Sequence, residues 1–295
     1  MNKTYVGEGK VVLIAGGGKI FTDIAARFCD SERGLDEILA SPHTKGIVKN
    51  IIENGHLAAT EFDDFIFGIE GYARVTEVQL VRKRLASYLI KSGRKNKDEK
   101  RNFDVVMPNK EIEEFSYVHS LRGDQIFLDP ELELSLEDAL QGLGISPSDF
   151  QDGAPAILLD DEFIFYTPIN SNDLLNMIEG WYNTGVELGY QEEELRYIKP
   201  QATEFKALVK MNKHALHDWF MIRLCKNAQF EIRDLASKMF KLGSDAAPEL
   251  FENDGPSCKV LGYCPENGRQ NASCKGRIIT KAQALKVLKE YQLDK

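Results

Sequence analysis

Long apolar runs are missing from this chain of 295 residues. The best candidate, Val11–Ala15, has five residues, where a membrane-crossing helix needs roughly 18. No membrane partner is expected. The start of the chain also lacks a basic stretch followed by an apolar segment and a small-residue cleavage site, so a cytoplasmic protein is expected. Cysteine is scarce and odd in number, five in all, which excludes a complete disulfide set. No repeat is present, which excludes collagen-like and coiled-coil architectures. Disorder is excluded by a composition of 43% hydrophobic and 28% charged residues, the balance of a globular chain.

Three of the cysteines, Cys258, Cys264 and Cys274, crowd one Gly/Pro-containing tail. Their spacing is not the close pairing of a zinc ribbon, and no nearby histidine offers a fourth ligand, so no metal is expected. Cys29 and Cys225 lie in helix-like patterns.

Net charge is modest at −9, but its distribution is not. Residues 82–101 hold nine cations against Asp98 and Glu99, a local balance of +7. Residues 111–162 hold fourteen acidic groups against Arg122 alone, a balance of −13. An acidic protein that concentrates cations in one stretch is suited to holding an anion there. A basic helix could serve a nucleic-acid-binding module, yet the rest of this surface would repel a long polyanion. A small phosphorylated ligand fits better, and no nucleic-acid partner is expected.

Mixed elements without a regular βαβ rhythm favour an α+β fold. Lys10–Ala15 reads as a buried strand and Gly16-Gly17-Gly18 as the turn after it. That turn is not a P-loop, because Leu13 and Ile20 stand where glycine and a hydroxyl residue are required. Phe21 likewise occupies the last glycine position of a dinucleotide fingerprint. Helices are expected at about Thr22–Cys29, Thr44–Glu53, Asn172–Leu188, Leu216–Cys225, Asn227–Phe240 and Lys281–Tyr291. Phe62–Ile69 and Phe205–Met211 read as strands, and Ile157–Leu159 with Phe163–Tyr166 as a hairpin. Val75–Arg94 reads as one long helix, with Val81, Leu85, Tyr88, Leu89 and Ser92 as its less polar stripe and Arg84, Ser87 and Lys91 on another face.

The basic block carries more than charge. Arg82-Lys83-Arg84, Ser87, Ser92 and Arg94 resemble the signature of the flavin-dependent thymidylate synthases, the ThyX family: Arg-His-Arg, two residues, Ser, four residues, Ser, one residue, Arg. Other segments resemble that family in its order. These are Gly55-His56 with Glu61 through Arg74, Leu195-Arg196 with Pro200, Thr203 and Asn212, and Arg223 through Arg233, where Asn227-Ala228-Gln229-Phe230-Glu231 stands. The cysteine tail resembles that of some members. Together the matches cover roughly half the chain.

The resemblance implies a single mixed domain over residues 1–295, with a central antiparallel sheet flanked by helices and an acidic insertion at about 111–162. It implies reductive methylation of dUMP to dTMP, with FAD as cofactor, NADPH and methylenetetrahydrofolate as co-substrates, and a homotetramer with shared active sites. Gln79, Arg82, Ser92, Gly93, Arg94, Arg196 and Arg233 are then expected at the dUMP site. Ser92 and Arg233 are the candidate catalytic residues. His56, Arg82, Lys83, Arg84, Ser87, Arg223 and Asn227 are expected at flavin or folate. Arginine suits such a role because its planar fork stays charged and bonds phosphate oxygens in pairs. Read alone, Arg233 beside Glu231 and Asp234 would be a helix ion pair, and Arg74 a partner of Glu70 or Glu77.

Departures from the family stand beside these matches. Lys83 replaces the signature histidine, Leu89-Ile90 replaces Asn-Glu, Lys95 replaces an aromatic residue, and Phe230 replaces tryptophan. Three readings stay open: a working synthase, an enzyme for another nucleotide or one-carbon donor, and a non-catalytic homologue that binds nucleotide or flavin.

Overall fold

The computed structural model describes residues 3–18, 20–91, 103–114, 116–122, 157–159, 162–266 and 269–293. The chain divides into two compact units, Met1–Pro108 with Pro200–Lys295, and Asn109–Lys199. In chain order the strands are β1 (Lys3–Tyr5), β2 (Lys10–Ala15), β3 (Asp64–Ala73), β4 (Ser87–Ile90), β5 (Val105–Met107), β6 (Ser116–Arg122), β7 (Ile157–Leu159), β8 (Glu162–Asn170) and β9 (Glu204–Asn212).

The first unit is built on a four-stranded sheet in the order β2-β3-β9-β4, antiparallel throughout. Alternation along β3 and β9 sends Phe65, Phe67, Phe205, Val209 and Met211 into the core, because successive strand side chains point to opposite faces. Helices Lys213–Arg223 and Phe230–Ala246 supply the other half of that core through Leu216, Phe220, Ile232, Leu235 and Met239. Aromatic edges lock it: Phe65 meets Phe251 with ring centroids 5.2 Å apart and Phe220 meets Phe240 at 5.4 Å. β1 and β5 form a separate parallel pair.

Two of the expected elements need correction. β2 is not buried; it is the sheet's edge, with Val11 and Leu13 packed on the core and Val12 and Ile14 exposed on the other face. The long helix over Val75–Arg94 is also absent: helix Arg74–Leu80 ends, the chain turns, and β4 pairs with β9, Ser87 opposite Lys210. A continuous helix would have buried Val81, Leu85 and Leu89, all of which are exposed here. Instead Tyr88 and Ile90 point inward with period two. The glycine turn behaves as expected. Gly16 and Gly17 have positive φ, and a Cβ on Gly17 would lie 2.6 Å from the Ala246 Cβ, so the turn needs glycine for close packing.

The second unit carries the antiparallel sheet β6-β8-β7, including the expected hairpin, with Leu159 opposite Glu162. Helix Ser171–Glu187 starts at a reciprocal cap in which Asn170 and Asp173 bond each other's backbone N–H. Residues 123–156, most of the acidic stretch, lie outside the described residues, as do Ser92, Gly93 and Arg94.

One buried charge group ties the first unit together. Asp254 is fully buried, and its Oδ1 accepts from Lys213 Nζ at 3.1 Å and lies 2.7 Å from His217 Nδ1. Burial lowers the pKa of Lys213, opposed by the carboxylates of Asp254, Asp218 and Asp63. Breaking such a pair leaves an uncompensated buried cation, which costs about 3–5 kcal/mol. Asp254→Ala should lose about that much in urea unfolding, and an Asp254→Leu/Lys213→Met double variant should recover most of it. A loss below about 1 kcal/mol in the single variant would contradict the assignment.

Candidate active site

The signature segment is held by a carboxylate that comes from another helix. Glu231 is buried on the first turn of helix Phe230–Ala246. It accepts the Ala73 N–H at 2.8 Å and the Thr76 hydroxyl at 2.5 Å, capping the start of helix Arg74–Leu80. The next two N–H groups of that helix go to the carbonyls of Thr203 and Gln201. Its far end is fixed by Tyr88, whose hydroxyl lies 2.9 Å from the Leu80 carbonyl and 2.8 Å from that of Lys83. Burial pushes the Tyr88 pKa up to about 12, so the phenol keeps the proton it donates. The turn carrying Arg82, Lys83 and Arg84 is therefore anchored at both ends.

On this frame sits a set of uncompensated cations. Arg223, at the end of helix Lys213–Arg223, donates to the Gln79 side-chain oxygen and to the Gln79 carbonyl, each at 3.1 Å. Its pKa is lowered by burial and by the nearby charge of Arg82. Among the described residues, neither Arg82, Arg84 nor Arg223 has a carboxylate partner. Lys83 is different: its ammonium pairs with Asp218 at 2.9 Å. Like charges brought together without a counter-ion suit the binding of an anion.

A family model described as thymidylate synthase complementing protein matches residues 19–249. The chain is 31% identical over 248 residues to the flavin-dependent thymidylate synthase of Geobacter sulfurreducens, covering 83% of this chain and 85% of that protein. It is 30% identical over 251 residues to the one from Pyrococcus abyssi, covering 83% and 82%. The chain belongs to the flavin-dependent thymidylate synthase family. The fold is shared with solved structures of the UMP/dUMP methylase PolB from Streptomyces cacaoi, bound with 5-Br UMP and with 5-Br dUMP. Their TM-scores are 0.55 and 0.57 at 14% identity, covering 89% and 86% of this chain and 97% and 98% of that one.

Within this family member, the expected site residues that are described fall into three groups. Gln79, Arg82 and Arg223 come together as described, and Lys83 and Arg84 stand on the same turn as Arg82. Ser87 opens β4 and is exposed on the sheet's outer face, so its expected place on a helix is replaced by one on a strand. That face is a shallow cavity of about 520 Å³ whose lining includes Val12, Ile14, Leu89 and Leu208. Gly68 keeps it flat, since a Cβ there would lie 3.0 Å from Val12 and 3.2 Å from Ile14.

The remaining residues stand elsewhere. Arg233 forms no ion pair with its acidic neighbours; it donates to the carbonyls of Lys226 and Ala228, at 2.9 and 3.3 Å, and so braces the loop before its helix. Asn227 donates to the Arg269 carbonyl at 2.8 Å. Arg196 belongs to the second unit and lies 3.9 Å from Glu193. His56 is exposed between helix Lys45–Glu53 and the 3-10 turn Leu57–Phe62. Arg74 takes its bland role with Glu77 at 3.5 Å.

Sequence reasoning passed over Glu231 and Asp218. Glu231 lies inside the matched Ala-Gln-Phe-Glu segment, where its apolar neighbours signalled burial, but no local feature marks Asp218. Burial raises the Glu231 pKa above its ordinary 4.5, so the folded state holds that proton to higher pH than the unfolded chain does. The contribution of Glu231 to stability is therefore largest below pH 4.5 and falls as pH rises through the raised value. The stability–pH profile of Glu231→Gln should be flatter than the parent's in that window. Parallel profiles in chemical denaturation would contradict this.

Proposed function

We propose that this chain converts dUMP to dTMP by reductive methylation, with FAD as cofactor, methylenetetrahydrofolate as one-carbon donor and NADPH as reductant. The observation that carries this reading is the pair Arg82 and Arg223, with Arg84 on the same turn, none with a carboxylate partner among the described residues, in a member of a family whose named relatives are flavin-dependent thymidylate synthases. The reduced flavin, when bound, supplies the hydride. The chain's own residues bind and orient. Arg82 and Arg223 offer planar forks to a nucleotide phosphate, with Gln79 holding Arg223 in place. Ser92, Gly93, Arg94, Arg196 and Arg233 complete the nucleotide site in this proposal. Arg84, Lys83, His56, Ser87 and Asn227 serve flavin or folate, with Ser92 and Arg233 as positioning groups near the reacting base.

Assembly as a homotetramer with shared sites belongs to the same reading, supported by the open apolar sheet face. So does a cytoplasmic location; among the described residues no helix is long and apolar enough to cross a membrane. The departures at Lys83, Leu89 and Ile90 bear on which nucleotide is used, so the assay includes both dUMP and UMP.

Anaerobic incubation of the full chain with FAD, NADPH, methylenetetrahydrofolate and dUMP should give dTMP by chromatography. Arg223→Ala should weaken dUMP binding by about 1.5–3 kcal/mol, roughly 10- to 100-fold, the worth of a charged hydrogen bond. Methylation of UMP alone would reassign the substrate. No product from either nucleotide would remove the catalytic reading.

A further inference from the structure

Four of the five cysteines meet at one place. Cys225 follows helix Lys213–Arg223, Cys258 sits in the short helix Ser257–Leu261, and Cys264 and Cys274 belong to the loop-rich tail. All four line one cavity of about 230 Å³, together with Lys226 and Glu266. All four are free thiols.

The tail that carries three of them has little else to hold its shape. Among the described residues from 256 to 280, Cys264 is the one buried hydrophobic side chain. Polar bonds fasten the tail to the segment beneath it: Ser257 to the Met221 carbonyl at 2.8 Å, Asn227 to the Arg269 carbonyl at 2.8 Å, and Asn271 to the Lys226 carbonyl at 3.3 Å. The Cys264 N–H bonds the Ile279 carbonyl at 2.8 Å, and the Gln270 amide bridges the carbonyls of Cys274 and Ile278. Loop-rich segments without an apolar core of their own are commonly stapled by disulfides or by a structural metal.

We propose that Cys225, Cys258, Cys264 and Cys274 form a tetrathiolate site for a zinc-type divalent cation, which fastens the tail to the segment carrying Arg223 and Asn227. Thiolate sulfur is soft, and four such ligands in a tetrahedron suit zinc. The tail's own spacing offers three ligands; the fold brings the fourth, Cys225, from far earlier in the chain. Cys225, Cys274 and Cys264 all lie close enough to Cys258 for their charges to act on it. Binding releases four protons and leaves a complex of net charge −2, beside the Lys226 that lines the same cavity. As the side chains stand, no three His, Cys, Asp or Glu residues among those described are arranged to hold a metal ion. The proposal therefore requires the thiols to turn about their single side-chain torsions, from their present rotamers onto the ion.

The test is metal content of the full chain, reduced, stripped by chelator and reconstituted anaerobically with Zn²⁺ or Co²⁺. One metal per chain is expected, and the Co²⁺ form should show thiolate charge-transfer absorption with the intense visible bands of a tetrahedral site. Cys258→Ser and Cys274→Ser should each weaken binding by about tenfold or more, while Cys29→Ser, at an exposed position, should retain one metal. A wild-type chain that takes up no metal would overturn the proposal without recourse to any variant. So would unchanged binding in both tail variants, or a thiol count under non-reducing denaturation that reveals a disulfide among the four. Metal uptake is scored independently of dTMP formation, so either result can fail alone.

Discussion

A single buried carboxylate governs the placement of the signature segment. Glu231 satisfies the Ala73 N–H and the Thr76 hydroxyl, and so fastens the start of helix Arg74–Leu80 to the first turn of helix Phe230–Ala246. An unsatisfied donor in that position would cost about 1–3 kcal/mol. The bond therefore joins two matched segments that lie far apart in sequence, one carrying Gln79 through Arg84 and the other Arg233. Tyr72 repeats the link one residue earlier, its hydroxyl bonding Asp234 at 2.9 Å. Burial raises the Tyr72 pKa, and Asp234 adds to it, so this phenol too remains a donor.

Rigidity at that junction explains how like charges are tolerated. Two guanidinium groups near one another repel, and a bound anion relieves that repulsion. Arg223 spends its hydrogen bonds on the neutral Gln79, which orients the cation without neutralising it. Lys83 is neutralised instead by Asp218. The net result is a positive site on a protein of charge −9, positioned by neutral and buried groups and not by exposed ion pairs, which contribute little.

Much of this was legible beforehand. β3 and β9 alternate enough to be read as strands, although Ile66 and Leu208 interrupt the pattern, and the fold class followed from mixed elements without a βαβ rhythm. The segment after Leu80 was not readable as what it is. Val81, Leu85, Tyr88 and Leu89 fit a helical stripe, while Tyr88 and Ile90 fit a strand; the choice is made by pairing with β9, which no local window contains. The joint pattern of arginines identified the family, but their partners were invisible. Arg233 bonds carbonyls and not its acidic neighbours, and Asp218 carries no local mark of its pairing with Lys83. Likewise the tail cysteines lacked a fourth member only because Cys225 is distant in sequence.

The central claim is that the cluster of Arg82, Arg84 and Arg223 belongs to a joint flavin and nucleotide site. Its most direct test is the visible absorption spectrum of the chain reconstituted with FAD and then titrated with dUMP. The account predicts bound flavin whose bands shift saturably as dUMP is added, with the titration moved to higher concentration in Arg223→Ala. Failure to retain flavin, or a bound flavin spectrum indifferent to dUMP, would contradict it.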